Sequence, residues 1–236
     1  MILLGLALAP GAAIAIYIYR KDKHEREPLG LLFRSFLFGV LSVIVTLLVS
    51  LPMDAIIPID AKDIGQQAIH AFLLVALIEE SSKFLFVRGV LYRNKNFNEP
   101  FDGIVYAVMV SMGFATFENL LYVFQEGLGT ALMRMFTAVP AHATFGVLMG
   151  YYLGKAKFEH KKPYYAFHAL GVATLFHGAY DYFIFISFVP GIALGAIASL
   201  IVGIWLSRKA IAIHQQASPF KSQGPVAETN QENNSG

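Results

Sequence analysis

The chain of 236 residues is 56% hydrophobic and only 14% charged, with a net charge of +2. Soluble domains carry roughly 25% charged residues, so the composition excludes an ordinary soluble fold and points to an integral membrane protein. Near-neutral charge without a basic, aromatic-rich tract argues against nucleic acid as a partner, and the lack of cysteine excludes disulfides, thiolate metal sites and a thiol nucleophile.

An apolar stretch of about 20 residues crosses hydrocarbon as a helix, where each backbone polar group is satisfied without water. Such stretches run over Ile2–Tyr19, Leu31–Leu51, Gln66–Val87, Phe101–Phe124, Thr130–Leu153, Tyr164–Phe188 and Gly191–Leu206. They predict an all-α fold, a polytopic transmembrane helix bundle of about seven spans. Val189, Pro190 and Gly191 between the last two fit either a tight turn or one broken helix. From Gln215 onward the chain is polar, with Pro219 and Pro225. The sequence therefore predicts a transmembrane domain over residues 1–214 and a disordered cytoplasmic tail over 215–236.

Arg20, Lys21, Lys23 and Arg26 follow the first span; Arg88, Arg93 and Lys95 the third; Lys155, Lys157, Lys161 and Lys162 the fifth; Arg208, Lys209 and Lys221 the seventh. The alternate loops hold Asp54, Asp60, Asp63 and Glu126, with Lys62 as their base. The positive-inside rule then places the N-terminus outside and the C-terminus in the cytoplasm. The basic cluster lies behind the first span rather than before it, which predicts an uncleaved anchor.

Small residues at four-residue spacing mark close helix contacts in a bilayer. Three rows are visible: Gly103, Ala107, Ser111 and Ala115; Gly146, Gly150 and Gly154; Gly191, Gly195, Ser199 and Gly203. His142 continues the second row by one turn, which sets its imidazole on a packed face.

Ionisable residues within a span cost roughly 2.5–3.5 kcal/mol each on insertion scales, so several together need a reason. The third span contains Glu79, Glu80 and Lys83. Neighbouring helical positions diverge by about 100°, so the two glutamates address different points, while Lys83 reaches either. One arrangement turns one glutamate to a reaction centre and neutralises the other with Lys83; a purely structural ion pair has the same sequence. The fourth span carries Glu118 and Asn119, and the fifth His142 beside Pro140. In the sixth, His177 and Asp181 share a face, where the acid would orient the imidazole, and Tyr180 falls on another.

Four spans thus each contribute an acid or an imidazole. Together such groups can activate water and protonate a leaving amine, or two or three of them can hold Zn²⁺. Helix rise puts His142 and His177 near the midplane, with the glutamates spread over on the order of 10 Å. The motifs His-Glu-x-x-His, Gly-x-Gly-Asp and Gly-x-Ser-Gly are absent, which disfavours a zincin, a presenilin-like aspartyl pair and a rhomboid serine.

The motif set resembles the PrsW family of bacterial intramembrane proteases, which cleave anti-sigma factors. It comprises Ala9-Pro10-Gly11, Arg34-Ser35-Phe36, Glu79-Glu80-x-x-Lys83, Asp102-Gly103-Ile104-Val105-Tyr106, Gly113-Phe114-Ala115-Thr116-x-Glu118-Asn119, His142-Ala143 and His177-Gly178-x-Tyr180-Asp181. The wider CAAX prenyl protease and bacteriocin-immunity group is similar and usually has histidine where this chain has Glu118. The resemblance implies a site-1 peptidase of the plasma membrane acting on a single-span anti-sigma factor, cut on the extracytoplasmic side. The residues expected to carry the chemistry are Glu79, or else Glu80, as general base with His177; His142 and His177 as ligands of a Zn²⁺ ion or as oxyanion stabilisers; and Glu118 as a third ligand or an acid. Lys83, Asn119 and Asp181 are expected to support them. Two other classes fit the same residues: a proton- or ion-coupled transporter, which predicts inverted repeats not visible here, and an adaptor binding a partner helix along the small-residue rows.

Overall fold

In a computed structural model, which describes residues 2–223, the chain is helical throughout, with no strand among the described residues. The helices are α1 (Ile2–Lys21), α2 (Leu29–Ile56), α3 (Ile64–Ile69), α4 (Leu77–Gly89), α5 (Pro100–Glu126), α6 (Leu128–Phe136), α7 (Ala138–Phe158), α8 (Lys162–Phe185) and α9 (Leu194–Gln216). A π-helical segment, His70–Ala76, joins α3 to α4. Five stretches are long and apolar enough to cross a membrane: Leu3–Lys21, Leu29–Ile56, Pro100–Glu126, Leu128–Phe158 and Leu194–Gln216. The protein is a multi-pass membrane protein. Leu48, Ile56 and Phe167 are more than two-thirds exposed, as a lipid-facing surface requires and water disfavours.

Helix α5 is the axis of the bundle and contacts α1, α2, α7 and α9. Every residue from Phe101 to Thr116 is buried. Its start is fixed by Pro100 in the first turn and a capping box between Glu99 and Asp102, which satisfies otherwise orphaned backbone N–H groups. Its end is set by Gly127, whose φ of 82° is open mainly to glycine.

Two of the small-residue rows meet each other. A Cβ on Gly103 would stand 2.5 Å from the Gly150 carbonyl oxygen, and one on Gly146 would stand 2.7 Å from Ser111 Oγ. The α5 and α7 backbones therefore touch, which brings His142 on α7 against α5. The third row is divided: Gly191 lies before α9 in a turn at φ 79°, while Gly195 and Gly203 face Phe183 and Thr144. The link between α8 and α9 is thus a turn, not a broken helix.

Two expected spans are interrupted. Residues Gln66–Val87 run as α, π and α segments, and Thr130–Leu153 is divided between α6 and α7 near Thr137. The basic loops gather at one end of the bundle: Lys157 Nζ donates to the Tyr92 carbonyl at 2.6 Å, and Gln215 on α9 donates to the Lys21 carbonyl. Of the expected tail, Gln215 and Gln216 continue α9 and Pro219–Gln223 form a 3₁₀ turn; residues 224–236 lie outside the described residues.

Candidate active site

The buried polar groups of four helices come together at one place. On α4, Lys83 Nζ lies 2.7 Å from Glu80 Oε1 and 3.4 Å from Glu79 Oε2. The π segment just before α4 delays the turn of the helix by one residue per hydrogen bond, a device common near functional sites. The lysine is buried, stands 3.9 Å from the Phe114 ring centroid, and approaches His142 Nδ1 at 3.3 Å.

The two imidazoles are each held from both sides. His177 Nδ1 lies 2.9 Å from Glu80 Oε1, its Nε2 lies 3.1 Å from Asp181 Oδ2, and Glu79 Oε2 is 3.8 Å from the same nitrogen. Phe145 stacks on this ring with centroids 4.8 Å apart. His142 Nε2 lies 2.9 Å from Glu118 Oε2, and the His142 and His177 rings meet edge to face at 5.1 Å. The axial spread estimated from helix rise is therefore bridged by side-chain reach.

A cavity of about 670 Å³ opens on this cluster, bordered by Glu79, Glu118, His142, His177 and Asp181. Tyr180, assigned to another face by helical spacing, borders the same cavity. Glu80 does not border it and is fully buried. The two adjacent glutamates thus have different surroundings: Glu79 meets the cavity, while Glu80 is enclosed between Lys83 and His177. From this level the cavity continues past Thr46, Tyr122 and Thr137 to Asp54 and Glu126, near the ends of α2 and α5. That end is opposite the basic loops.

Single donor atoms from Glu79, His142 and His177 lie within 4.8 Å of one another. Two imidazoles and a carboxylate form the kind of nitrogen and oxygen donor set found at catalytic zinc sites. Glu118 lies on the other side of His142, where Arg134 Nη2 approaches its Oε2 at 2.9 Å. Arg134 Nε also donates to Asn119 Oδ1 at 3.1 Å, and Asn119 Nδ2 donates to the Ala7 carbonyl at 3.1 Å. Glu118 and Asn119 thus fasten α6 and α1 to the site.

Sequence reasoning missed Arg134 and Phe145. The signal for Arg134 was present, because a lone arginine inside an apolar stretch needs a buried partner. Phe145 carries no such mark; an aromatic residue in a membrane helix is indistinguishable by sequence from ordinary packing.

A helical membrane bundle that encloses carboxylates, imidazoles and a cavity has the parts of an intramembrane hydrolase. Residues 27–207 match the family model described as PrsW family intramembrane metalloprotease, and the chain belongs to that family. It is 38% identical to Protease PrsW of Geobacillus kaustophilus over 229 residues, covering 94% of this chain and 98% of that relative. It is 36% identical to Protease PrsW of Bacillus subtilis, covering 76% of this chain and 81% of the relative, and 37% identical to that of Clostridioides difficile, covering 78% and 79%. No solved structure matches. The protein is therefore an intramembrane peptide hydrolase rather than a transporter or an adaptor, and its substrates are proteins in the membrane.

Proposed function

We propose that this protease makes the first, extracytoplasmic-side cut in a single-span anti-sigma factor of the bacterial plasma membrane, after which a second intramembrane cleavage frees the sigma factor. The observation that carries this reading is the cavity shared by Glu79, His142 and His177, which extends toward Asp54 and Glu126. The basic end of the bundle belongs in the cytoplasm by the positive-inside rule, so the opposite end, where the cavity leads, faces outward. That orientation puts the N-terminus outside and the C-terminus inside.

Within the site, Glu79 is the carboxylate that takes a proton from water and returns it to the leaving amine. Glu80 and Asp181 hold the two nitrogens of His177, fixing its ring against the cavity. Lys83 offsets the negative charge of the glutamate pair, and Glu118, itself held by Arg134, orients His142. The donor set also fits a metal. Zn²⁺ is the ion proposed, and Glu79, His142 and His177 would hold it, each imidazole giving up one of its two present partners to free a nitrogen for the ion. A zinc ion in such a site supplies Lewis acidity and a bound water that ionises near neutral pH.

The test is purified protein reconstituted with a single-span anti-sigma factor. Cleavage on the extracytoplasmic side, lost in Glu79→Gln and His177→Ala while folding and substrate binding persist, is the expected result. Unchanged cleavage in both variants removes these residues from the chemistry, and cleavage only on the cytoplasmic side overturns the orientation.

A further inference from the structure

A second group of carboxylates lies at the basic end of the bundle, separate from the Glu79 cavity. Asp22, Glu25 and Glu27 come from the α1–α2 connection, and Glu99 and Asp102 from the start of α5. Asp22, Glu27, Glu99 and Asp102 are at most 2% exposed. One donor oxygen each from Glu25, Glu27 and Asp102 lies within 4.8 Å of the other two.

Part of this arrangement is ordinary helix capping. Asp102 Oδ2 accepts from the backbone N–H groups of Asn98 at 2.7 Å and Glu99 at 2.8 Å. Asp22 Oδ2 accepts from the Glu27 N–H at 3.2 Å, and the Tyr106 hydroxyl donates to Glu27 Oε2. What these bonds leave over is informative. Glu25 Oε2, Glu27 Oε1 and Asp102 Oδ1 are buried without any hydrogen-bond partner. Among the described residues, no lysine or arginine forms a salt bridge with any of the five acids. Lys157, close enough to feel the Asp102 charge, directs its ammonium to the Tyr92 and Asn94 carbonyls instead. Capping needs one oxygen of Asp102; it does not need two further acids turned to the same point. Buried carboxylate oxygens with no donor are costly unless a cation compensates them or neighbouring acids such as Glu27 and Asp102 share a proton.

We propose that Glu25, Glu27 and Asp102 bind a hard divalent cation of the Ca²⁺ or Mg²⁺ class, which ties the α1–α2 connection to the first turn of α5. Oxygen-only donors suit these ions, whereas the Glu79 site with its two imidazoles suits Zn²⁺. The two sites therefore differ in both place and preference. Protons compete with a cation for carboxylate oxygens, so the test belongs at alkaline pH, here pH 8.

The experiment uses the full chain in detergent at pH 8, stripped by chelation and then given CaCl₂ or MgCl₂ alone. Thermal unfolding and equilibrium dialysis with elemental analysis are the readouts. One ion bound per chain and a Tm raised by several degrees are expected, both retained in a Glu79→Gln/His177→Ala background. Glu25→Gln is the decisive variant, because the Glu25 side chain is only half-buried and makes no hydrogen bond that its loss would break. It should weaken the ion's effect by about tenfold or more, the scale of losing even an outer partner of a metal site. No bound ion at about 10 mM salt, above the range of weak oxygen sites, overturns the proposal whether or not the variant folds. So does an unaltered response in Glu25→Gln, or a response that disappears only in the Glu79→Gln/His177→Ala background.

Discussion

Glu80 and His177 are joined side chain to side chain at 2.9 Å across 97 positions of sequence, and the same Glu80 oxygen accepts from Lys83 at 2.7 Å. A single carboxylate oxygen therefore fixes α8 to α4 and binds the ammonium that neutralises it. Glu79, one position earlier, takes the cavity side. This division gives the two glutamates separable roles. Glu80→Gln should leave Lys83 with a weakened partner and lower stability by about 3–5 kcal/mol, the usual scale for breaking a buried ion pair. Glu79→Gln should keep Tm near that of the parent and lower cleavage by about 10²–10⁴-fold, the span of general acid–base contributions. Thermal unfolding beside single-turnover cleavage separates the two outcomes.

Lys83 is the positive member of this group, and removing it alone strands two buried carboxylates. Lys83→Met should destabilise at least as much as Glu80→Gln. In the double variant Lys83→Met/Glu80→Gln the stranded charge is reduced, so the loss should be smaller than the sum of the single losses. A double-mutant cycle on Tm and denaturant midpoint checks this; strictly additive losses would mean the pair contributes no coupling.

Much of this architecture was legible in the sequence because lipid makes polar residues conspicuous. Glu79, Glu80, Lys83, Glu118, His142, His177 and Asp181 each stand out against apolar neighbours, and the structure brings all of them to one cluster. The small-residue rows on α5 and α7 likewise mark a real seam. What could not be read was the route of the chain between these points. The break near Thr137 has a mark in Pro140, which cannot bond the Phe136 carbonyl one turn back, but a proline inside an apolar stretch reads equally as a kink. The π segment at His70–Ala76 has the same apolar composition as a regular helix. The partner of each charge also stayed open, because spacing fixes neighbours along one helix and is silent about which side chain arrives from another.

Arg134 illustrates that last point. It comes from α6 and reaches both Glu118 and Asn119, so it holds the short helix against the cavity wall. Its guanidinium contacts two acceptors through separate nitrogens, a geometry that a lysine ammonium does not reproduce. Arg134→Ala should reduce cleavage by about tenfold, within the range for losing an orienting partner, and Arg134→Lys should restore only part of it. Because Arg134 acts through Glu118 and His142, the loss should fall on kcat more than on KM.

The α5–α7 seam makes a prediction about packing alone. A methyl group at Gly103 meets the Gly150 carbonyl oxygen at 2.5 Å, while one at Gly171 meets nothing within 4 Å. Gly103→Ala should therefore force the helices apart and cost about 1–3 kcal/mol. Gly171→Ala should be neutral or stabilising by up to about 1 kcal/mol, since alanine favours helix over glycine. Because α7 carries His142, Gly103→Ala should also lower activity, and a Tm comparison of the two variants isolates the steric effect from the general effect of adding a methyl group.

Metal content tests the donor set directly. Glu79, His142 and His177 converge, whereas Glu118 is turned to His142 and Arg134. Chelation should abolish cleavage, and Zn²⁺ add-back should restore it in the parent protein. Elemental analysis after add-back should find the ion retained in Glu118→Gln but lost in His142→Ala and His177→Ala. Removing a ligand takes away a bond, while removing an outer partner typically costs about 10–100-fold in affinity, which a tight site tolerates at excess zinc. Loss of the ion in Glu118→Gln equal to that in His177→Ala would instead make Glu118 a ligand. Full cleavage by chelated, metal-free protein would leave the glutamate and its water as the whole of the chemistry.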